Sequence, residues 1–182
     1  WNGLISGFKA SDLVFLDESG CNTDMTRRYA YSLGGSRAVD SAPLSKPKNT
    51  TILSSIQLDG TLRYTTFSGG TTVERFKRYL ETDLLPHLNE NSVLIMDNME
   101  SHHAKAVRNL LDSSGVRYIY LPPYSPDLNP VEKFWSKVKS FLRKFKARTL
   151  DALPNAIQCA FQTVSPSDCS GWFHSCDYSP YF

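Results

Sequence analysis

The chain has 182 residues, of which 41% are hydrophobic and 21% charged, and its formal net charge is +2. This composition suffices for one domain with a full hydrophobic core. The sequence has no run of 18 apolar residues that could span a membrane, and no cationic, apolar signal peptide. The first residue is Trp1 rather than Met, so we expect an excised piece of a longer protein.

The four cysteines are Cys21, Cys159, Cys169 and Cys176, and they include no C-x-x-C pair. A zinc site built from Cys169, His174 and Cys176 would lack the usual ligand spacing. Free, reduced cysteines are the favoured interpretation. They predict an intracellular protein, in the cytoplasm or nucleoid of a bacterium or in the nucleus of a eukaryote.

Charge is unevenly distributed along the chain. The segment 133–148 holds seven basic residues and no acidic one, which leaves 13 basic and 18 acidic residues elsewhere. A basic segment in an otherwise acidic chain indicates a polyanionic partner. A solvated helix face would account for the same pattern equally well.

The first half of the chain predicts an antiparallel meander of three or four strands. Its strand candidates are LVFLDESG (13–20), YAYSLGG (29–35), NTTILSSIQLDG (49–60) and TLRYTTFSGG (61–70). The first is an apolar run that ends in Asp17 and a glycine turn. Asp59 and Gly60 form a hairpin turn signal between the last two.

The second half alternates helices with strands. One helix opens with a capping box of Thr71 and Glu74, and a later one stops at Gly115. The predicted elements are helix 71–88, strand 92–98, helix 103–115, strand 116–121, a helix from 130 and helix 150–164. This order predicts an α/β, ribonuclease H-like fold. Its mixed central sheet, an antiparallel meander followed by parallel strands, is flanked by helices.

Two aspartates are placed where predicted strands end. Asp17 follows the first apolar run and Asp97 follows the strand SVLIM, so both emerge from stiff, buried backbone. Ligand sites in α/β sheets lie at such carboxyl ends. The first and fourth strands are expected side by side, so Asp17 and Asp97 should face each other across one crevice.

A third carboxylate belongs to Glu132 in the segment YSPDLNPVEKFW. Asn129 is a good N-cap and Pro130 a good first helical residue, which puts Glu132 at the third helical position. Glu132 could simply complete a capping box with Asn129. It lies outside the predicted core stripe, which consists of Val131, Phe134, Trp135, Val138, Leu142 and Phe145.

The flank of Glu132 also holds Ser136, Lys139 and Arg143, which suits a site for cations and phosphates. Two Asp and one Glu on separate elements are typical of a cage for hard divalent ions rather than of a general acid–base pair. Two such ions, about 3.5–4 Å apart, can clamp the attacking and leaving oxygens of a phosphodiester without a protein nucleophile. Consistently, the sequence has no nucleophile elbow and no P-loop.

The segments FLDESG, IMDN followed by HH, and LPPYSPDLNPVEKFW resemble the catalytic domain of mariner-superfamily transposases, closest to the bacterial insertion-sequence branch. The resemblance runs from about residue 13 to 178, and the 34 residues between Asp97 and Glu132 match the family's spacing. It implies that Asp17, Asp97 and Glu132 form the catalytic triad and bind two Mg²⁺ or Mn²⁺ ions.

The resemblance further implies an activity and its partners. DNA would be cut at transposon ends, and the 3′-OH would be transferred into target DNA, typically at a TA dinucleotide. A homodimer would bridge two ends on DNA, and neither a membrane nor a small-molecule substrate is involved. Residues 1–182 would be one catalytic domain, with 1–11 a linker remnant and 165–182 a C-terminal tail, and we expect the family's N-terminal DNA-binding domain to be absent from this chain.

Further residues are candidates for supporting roles. Those that could orient the metal ligands or a bound water are Glu18, Asn98, His102 and Asn129, with turn and cap chemistry as the competing explanation. The candidate DNA contacts are Lys133, Ser136, Lys139, Arg143 and Lys146. Tyr124 and Trp135 could stack on bases, although Trp135 fits the core better.

Two other functions fit part of the sequence. A ribonuclease H-type nuclease would cut without strand transfer, and a joining assay with a pre-cut end separates the two. A domesticated, non-catalytic domain would only bind DNA. Such remnants commonly lose a carboxylate, whereas all three are present here.

Overall fold

The computed structural model describes residues 1–27, 29–41 and 47–178, so the end of the predicted tail, 179–182, lies outside the described residues. Five strands form one sheet in the order β3-β2-β1-β4-β5. They are β1 Leu13–Cys21, β2 Thr50–Gln57, β3 Leu62–Ser68, β4 Val93–Met96 and β5 Arg117–Tyr120. The pairs β1–β2 and β2–β3 are antiparallel, and β1–β4 and β4–β5 are parallel. The predicted mixed sheet is confirmed, with the first and fourth strands as neighbours.

The prediction is wrong at two places in the meander. Residues 29–35 form no strand, and Tyr29 and Tyr31 are fully exposed. Both edges of β1 are already occupied, by β2 and β4, so no place is left there for another strand. β1 also continues past Asp17 to Cys21, because β2 pairs with it along nearly its whole length.

Six α-helices accompany the sheet in the described part of the chain. They are α1 Asn2–Ile5, α2 Val73–Tyr79, α3 Lys105–Ser114, α4 Pro130–Phe145, α5 Leu153–Gln162 and α6 Pro166–His174. The N-cap of α2 is Thr72, whose hydroxyl accepts a hydrogen bond from the Arg75 N–H, and not Thr71 as predicted. Gly115 ends α3 with a φ of 71°, as predicted. None of these helices is long and apolar enough to cross a membrane.

The alternation of β1 side chains divides the core into two layers. Leu13 and Phe15 pack in a cluster with α4, α5 and α6, whereas Val14 and Leu16 pack with α2 and α3 on the opposite face. Successive strand residues point to opposite faces, so Asp17 and Glu18 continue this division. All four cysteines are free, as predicted.

The core stripe of α4 is confirmed at five of its six predicted positions. Val131, Phe134, Trp135, Val138 and Leu142 are buried. Phe145 is 43% exposed. The helix ends at Phe145, and Lys146 follows with a φ of 56°, so the chain turns away from the core at that point.

Tyr178 connects three distant parts of the chain. Its buried ring packs against Phe15, with ring centroids 5.0 Å apart. Its hydroxyl donates to the carbonyl oxygen of Leu128 at 2.7 Å and accepts from Trp1 Nε1 at 3.0 Å. Because Leu128 precedes α4, this contact helps to fix where α4 begins.

Replacing Tyr178 with Phe should lower the free energy of unfolding by about 1–2 kcal/mol, because the Leu128 carbonyl loses its donor while the ring still fills the core. Urea unfolding followed by circular dichroism would measure the change. Tyr31→Phe is the matched control, since Tyr31 is fully exposed and its hydroxyl should contribute nothing. Equal stability of the two variants would contradict the role given to Tyr178.

Candidate active site

The parallel register of β1 and β4 brings two aspartates together. The last paired residues are Leu16 and Met96, and the next residues of the two segments are Asp17 and Asp97. Asp17 is therefore in the middle of β1 but at the point where β4 ends. Both line a cleft of about 470 Å³, and Glu132 lines the same cleft.

Asp17 is held rigidly and is almost fully buried. Its Oδ1 accepts the Glu18 backbone N–H at 2.7 Å, and its Oδ2 accepts the Trp135 indole N–H at 3.2 Å. Burial raises the pKa of Asp17 to about 7; the Glu18 N–H opposes this rise, and the charges of Asp97 and Glu132 add to it. A cation in the cleft would relieve this accumulation of negative charge.

Asp97 is more open, with 45% of its side chain exposed. Its Oδ1 accepts from His102 Nδ1 at 2.8 Å and from the Met99 N–H at 3.1 Å. Burial alone would raise the pKa of Asp97, but the hydrogen bond and charge of His102 outweigh it, so the pKa lies below its usual value. Within the described part of the chain, Oδ2 of Asp97 has no hydrogen-bond partner.

His102 bridges two carboxylates from neighbouring strands. It is fully buried and stacks on Phe76, with ring centroids 4.1 Å apart. Its Nδ1 faces Asp97, and its Nε2 lies 3.4 Å from Oε2 of Glu18. Burial lowers the pKa of His102, but the two carboxylates outweigh burial and raise it to about 9. At neutral pH the imidazolium can therefore donate to both acids.

The start of α4 explains why Glu132 is free to act. The side chain of Asn129 accepts the Val131 N–H at 3.3 Å and so caps the helix. The backbone N–H of Asn129 donates to the carbonyl of Pro126 at 3.1 Å rather than to the carboxylate of Glu132. The alternative in which Glu132 completes a capping box is thus not formed. Glu132 is exposed and lines the cleft instead.

The side chain of Asn98 makes hydrogen-bonding contacts with two other segments of the chain. Its side-chain amide donates to the carbonyl of Leu121, and its Oδ1 lies 3.2 Å from Nε2 of His103. His103 in turn packs on Tyr120, with ring centroids 4.0 Å apart. Asn98 therefore ties the end of β4 to the segment that leads into α4, with both ends of its amide engaged.

The three carboxylates fit a divalent cation in chemistry but are not closed around one. Across residues 1–27, 29–41 and 47–178 no group of three His, Cys, Asp or Glu side chains is arranged to hold a metal ion, either here or at the zinc alternative of Cys169, His174 and Cys176. The carboxylates supply the oxygen donors that Mg²⁺ and Mn²⁺ prefer. Coordination by all three would require Glu132 to approach the aspartates.

Two of the candidate DNA contacts on and after α4 already have protein partners. Lys133 donates to Oγ of Ser175, and Lys146 forms an ion pair with Asp40 at 2.6 Å. Ser136 lines a groove of about 530 Å³ between α4 and α6. Lys133 and Lys146 are therefore less available to phosphate than the sequence alone indicates, whereas Ser136 is exposed.

Lys139 and Arg143 remain as half-buried cations without an ion pair within the described residues. Arg143 lines an open groove of about 800 Å³, whose walls also include Arg27, Tyr29 and Lys144. Three cations, Arg27, Arg143 and Lys144, line this groove, and Arg143 also belongs to the flank of Glu132. No acidic residue is among the described residues that line it, so a phosphate backbone would meet no competing carboxylate there.

Two site features were missed by the sequence reasoning. Trp135 is buried in the core, as the stripe predicts, but its indole N–H also donates to Asp17. The double contact of His102 with Asp97 and Glu18 was not foreseen either. The sequence held one indication of the Trp135 contact: a buried indole N–H needs an acceptor, and Trp135 is a residue of the core stripe.

A ribonuclease H-like domain with a cleft of three carboxylates is the class of protein that this fold and site define. The model of the DDE superfamily endonuclease family matches residues 12–154, so the chain belongs to that family. The Tc1 transposase of Caenorhabditis elegans is 28% identical over 97 residues, which are 51% of this chain and 36% of that protein.

Solved structures of the Mos1 transposase share this fold. A chain of the pre-cleavage Mos1 transpososome superposes with a TM-score of 0.80 and 19% identity, covering 96% of this chain and 55% of that one. The catalytic domain of Mos1 mariner transposase has a TM-score of 0.70 and 18% identity, covering 92% and 78%. The chain thus spans only about a third of the Tc1 protein and about half of the Mos1 chain in the transpososome.

Replacing His102 with Ala should lower the free energy of unfolding by about 3 kcal/mol, because it leaves two acids without their buried counter-ion and empties the space against Phe76. The neighbouring variant His103→Ala should cost less than about 1 kcal/mol, since His103 is only partly buried. Chemical unfolding of both variants measures the difference. Similar losses would show that His102 is an ordinary helix-entry residue.

Proposed function

We propose that this chain is the catalytic domain of a Tc1/mariner-type DNA transposase. It cuts DNA phosphodiesters at transposon ends and transfers the 3′-OH into target DNA, typically at a TA dinucleotide. The observation that supports this most directly is that Asp17, Asp97 and Glu132, from three separate elements, line one cleft. The relatives named above are transposases, and the Mos1 structures include complexes with Mn and with Mg.

Asp17 and Asp97 provide the fixed side of the proposed metal site. Trp135 and the Glu18 N–H orient Asp17, while His102 and the Met99 N–H hold one oxygen of Asp97 and the other has no partner among the described residues. Divalent ions, two per site, would lower the pKa of the attacking water or 3′-hydroxyl and stabilise the leaving oxygen. The protein would not need a nucleophile of its own.

Glu132 is the adjustable side of the site. Its backbone is fixed by the Asn129 cap, but its carboxylate is exposed and makes no hydrogen bond within the described residues. Rotation about its side-chain torsions can bring it toward Asp17 once a cation offsets their repulsion. The third ligand is therefore supplied on a rigid helix end by a movable side chain.

The partners of the site follow from the same proposal. DNA, as transposon end and as target, is the substrate, and a homodimer assembled on DNA is proposed because Mos1 forms paired-end complexes. The division into a linker at 1–11, a catalytic body and a tail at 165–182 is also proposed. The relatives named above support the Tc1/mariner type but not the bacterial insertion-sequence branch. Membership of that branch therefore stays a prediction.

Strand transfer separates this proposal from a ribonuclease H-type nuclease. A labelled, pre-cut DNA end with a free 3′-OH should become joined to a supercoiled plasmid in the presence of Mn²⁺. Cleavage of duplex DNA without any joined product would favour the nuclease.

Replacing Glu132 with Gln should abolish metal-dependent cleavage and joining, because a neutral amide binds a hard divalent ion poorly. Stability should change by well under about 1 kcal/mol, since the helix is capped by Asn129. Asn129→Ala is the matched variant, expected to cost about 1 kcal/mol and to lower activity only partly. Gel-based cleavage and thermal unfolding compare them. Unfolding of Glu132→Gln, or cleavage near wild type, would refute the assignment of Glu132.

Replacing Lys139 and Arg143 together with Ala should weaken DNA binding about equally for unrelated sequences, because phosphate contacts are independent of sequence. The slope of log affinity against log salt should fall by about 2, that is by about 0.9 for each lost contact. Fluorescence anisotropy at several salt concentrations measures both. Lys77→Ala with Lys105→Ala is the control, since it removes the same charge from other helices. A loss confined to one DNA sequence would contradict the prediction.

A further inference from the structure

Tyr124 is in an unusual position for a large aromatic residue. It is fully exposed, and its φ of 55° places it in the left-handed region that residues other than glycine and asparagine rarely enter. The ring therefore gains nothing from burial while the backbone is strained. Neither the core nor the turn explains why this position holds a tyrosine.

The segment that presents Tyr124 is rigid. Pro122, Pro123 and Pro126 restrict the backbone on both sides of it. The hydroxyl of Ser125 lies 3.3 Å from the Pro123 carbonyl, and the Leu128 N–H donates to the Ser125 carbonyl at 3.2 Å. The hydroxyl of Tyr178 in turn holds the Leu128 carbonyl.

The place at which the ring is presented is the rim of the carboxylate cleft. Tyr124 lines the same cavity as Asp17, Asp97 and Glu132. Strained backbone that the surrounding structure holds in place is concentrated at ligand sites. Because the backbone that carries the ring is already fixed, stacking on a flat partner would not require this segment of the chain to become ordered, which favours binding.

We propose that Tyr124 forms a stacking subsite for one unpaired nucleobase of DNA, next to the phosphodiester that the carboxylates hold. This inference rests on the proposed function, since the phosphodiester defines where the base lies. An exposed aromatic face stacks on any base, so the subsite recognises an exposed base without reading sequence. It thereby selects DNA whose stacking is already disturbed near the bond to be cut.

The test combines variants of the protein with abasic DNA. The bond that the wild-type chain cuts in a short duplex with Mn²⁺ is mapped first. Each base within two nucleotides of that bond is then replaced, one at a time, by an abasic residue. Wild type should lose about tenfold in affinity, measured by anisotropy in Ca²⁺, at one of these positions. Tyr124→Asn should lose about tenfold on intact DNA and nothing further on that abasic duplex.

One further variant and one measurement of stability keep the test decisive. Tyr124→Phe retains the ring and should behave as wild type, which excludes a role that depends on the hydroxyl. Tyr124→Asn suits the left-handed backbone and removes only the ring, so its thermal stability should equal that of wild type or exceed it. If Tyr124→Asn unfolds, Tyr124 is a structural residue and the subsite is refuted.

The outcomes distinguish the two proposals. If wild type binds and cuts DNA, but Tyr124→Asn and wild type lose affinity equally at every abasic position, the stacking subsite is wrong and the proposed function stands. If wild type neither binds DNA nor cuts it with Mn²⁺, both proposals are overturned. If wild type loses about tenfold in affinity at a single abasic position and Tyr124→Asn loses nothing further there, the subsite is established at that nucleotide.

Discussion

The parallel pairing of β1 with β4 is the constraint on which the site depends. Its register ends at Leu16 and Met96, so the next residues, Asp17 and Asp97, are forced into proximity by backbone hydrogen bonding alone. The carboxylates of Asp17 and Asp97 repel each other when both are ionised, and this repulsion opposes folding. Burial of Asp17 raises the free-energy cost of ionising it further. The energy of the sheet and of the two core layers must offset this repulsion.

Donors on both faces of the sheet offset the negative charge of the carboxylates. On one face the indole of Trp135, from α4, donates to Asp17. On the other face His102, packed on Phe76, is shared between Asp97 and Glu18. The cleft keeps its negative charge toward solvent, because the compensating cation is buried behind Asp97 rather than placed inside the cleft. In the proposed function, this uncompensated charge is what would attract a divalent ion.

The sequence predicted the features that follow from local patterns. Apolar runs that end in Asp17 and Asp97 predicted the strands, and Asn129 with Pro130 predicted the start of α4, because burial and capping act over a few residues. It failed where a distant partner decides. β1 extends beyond Asp17 because β2 covers it, both edges of β1 are occupied so that residues 29–35 cannot pair there, and Lys146 meets Asp40. The contacts of His102 likewise join residues that are 84 positions apart.

Different faces of α4 contact the core, the cleft and the solvent, and this limits the changes that its sequence can tolerate. One face contributes Phe134 and Val138 to the core, the first turn presents Glu132 to the cleft, and the adjoining flank carries Lys139 and Arg143. Each residue turns the helix by about 100°. A single inserted or deleted residue between Glu132 and Val138 would put the cations out of phase with the carboxylate, or the core face out of phase with the sheet. Evolution can substitute residues along this helix, but it can change length only in the loops.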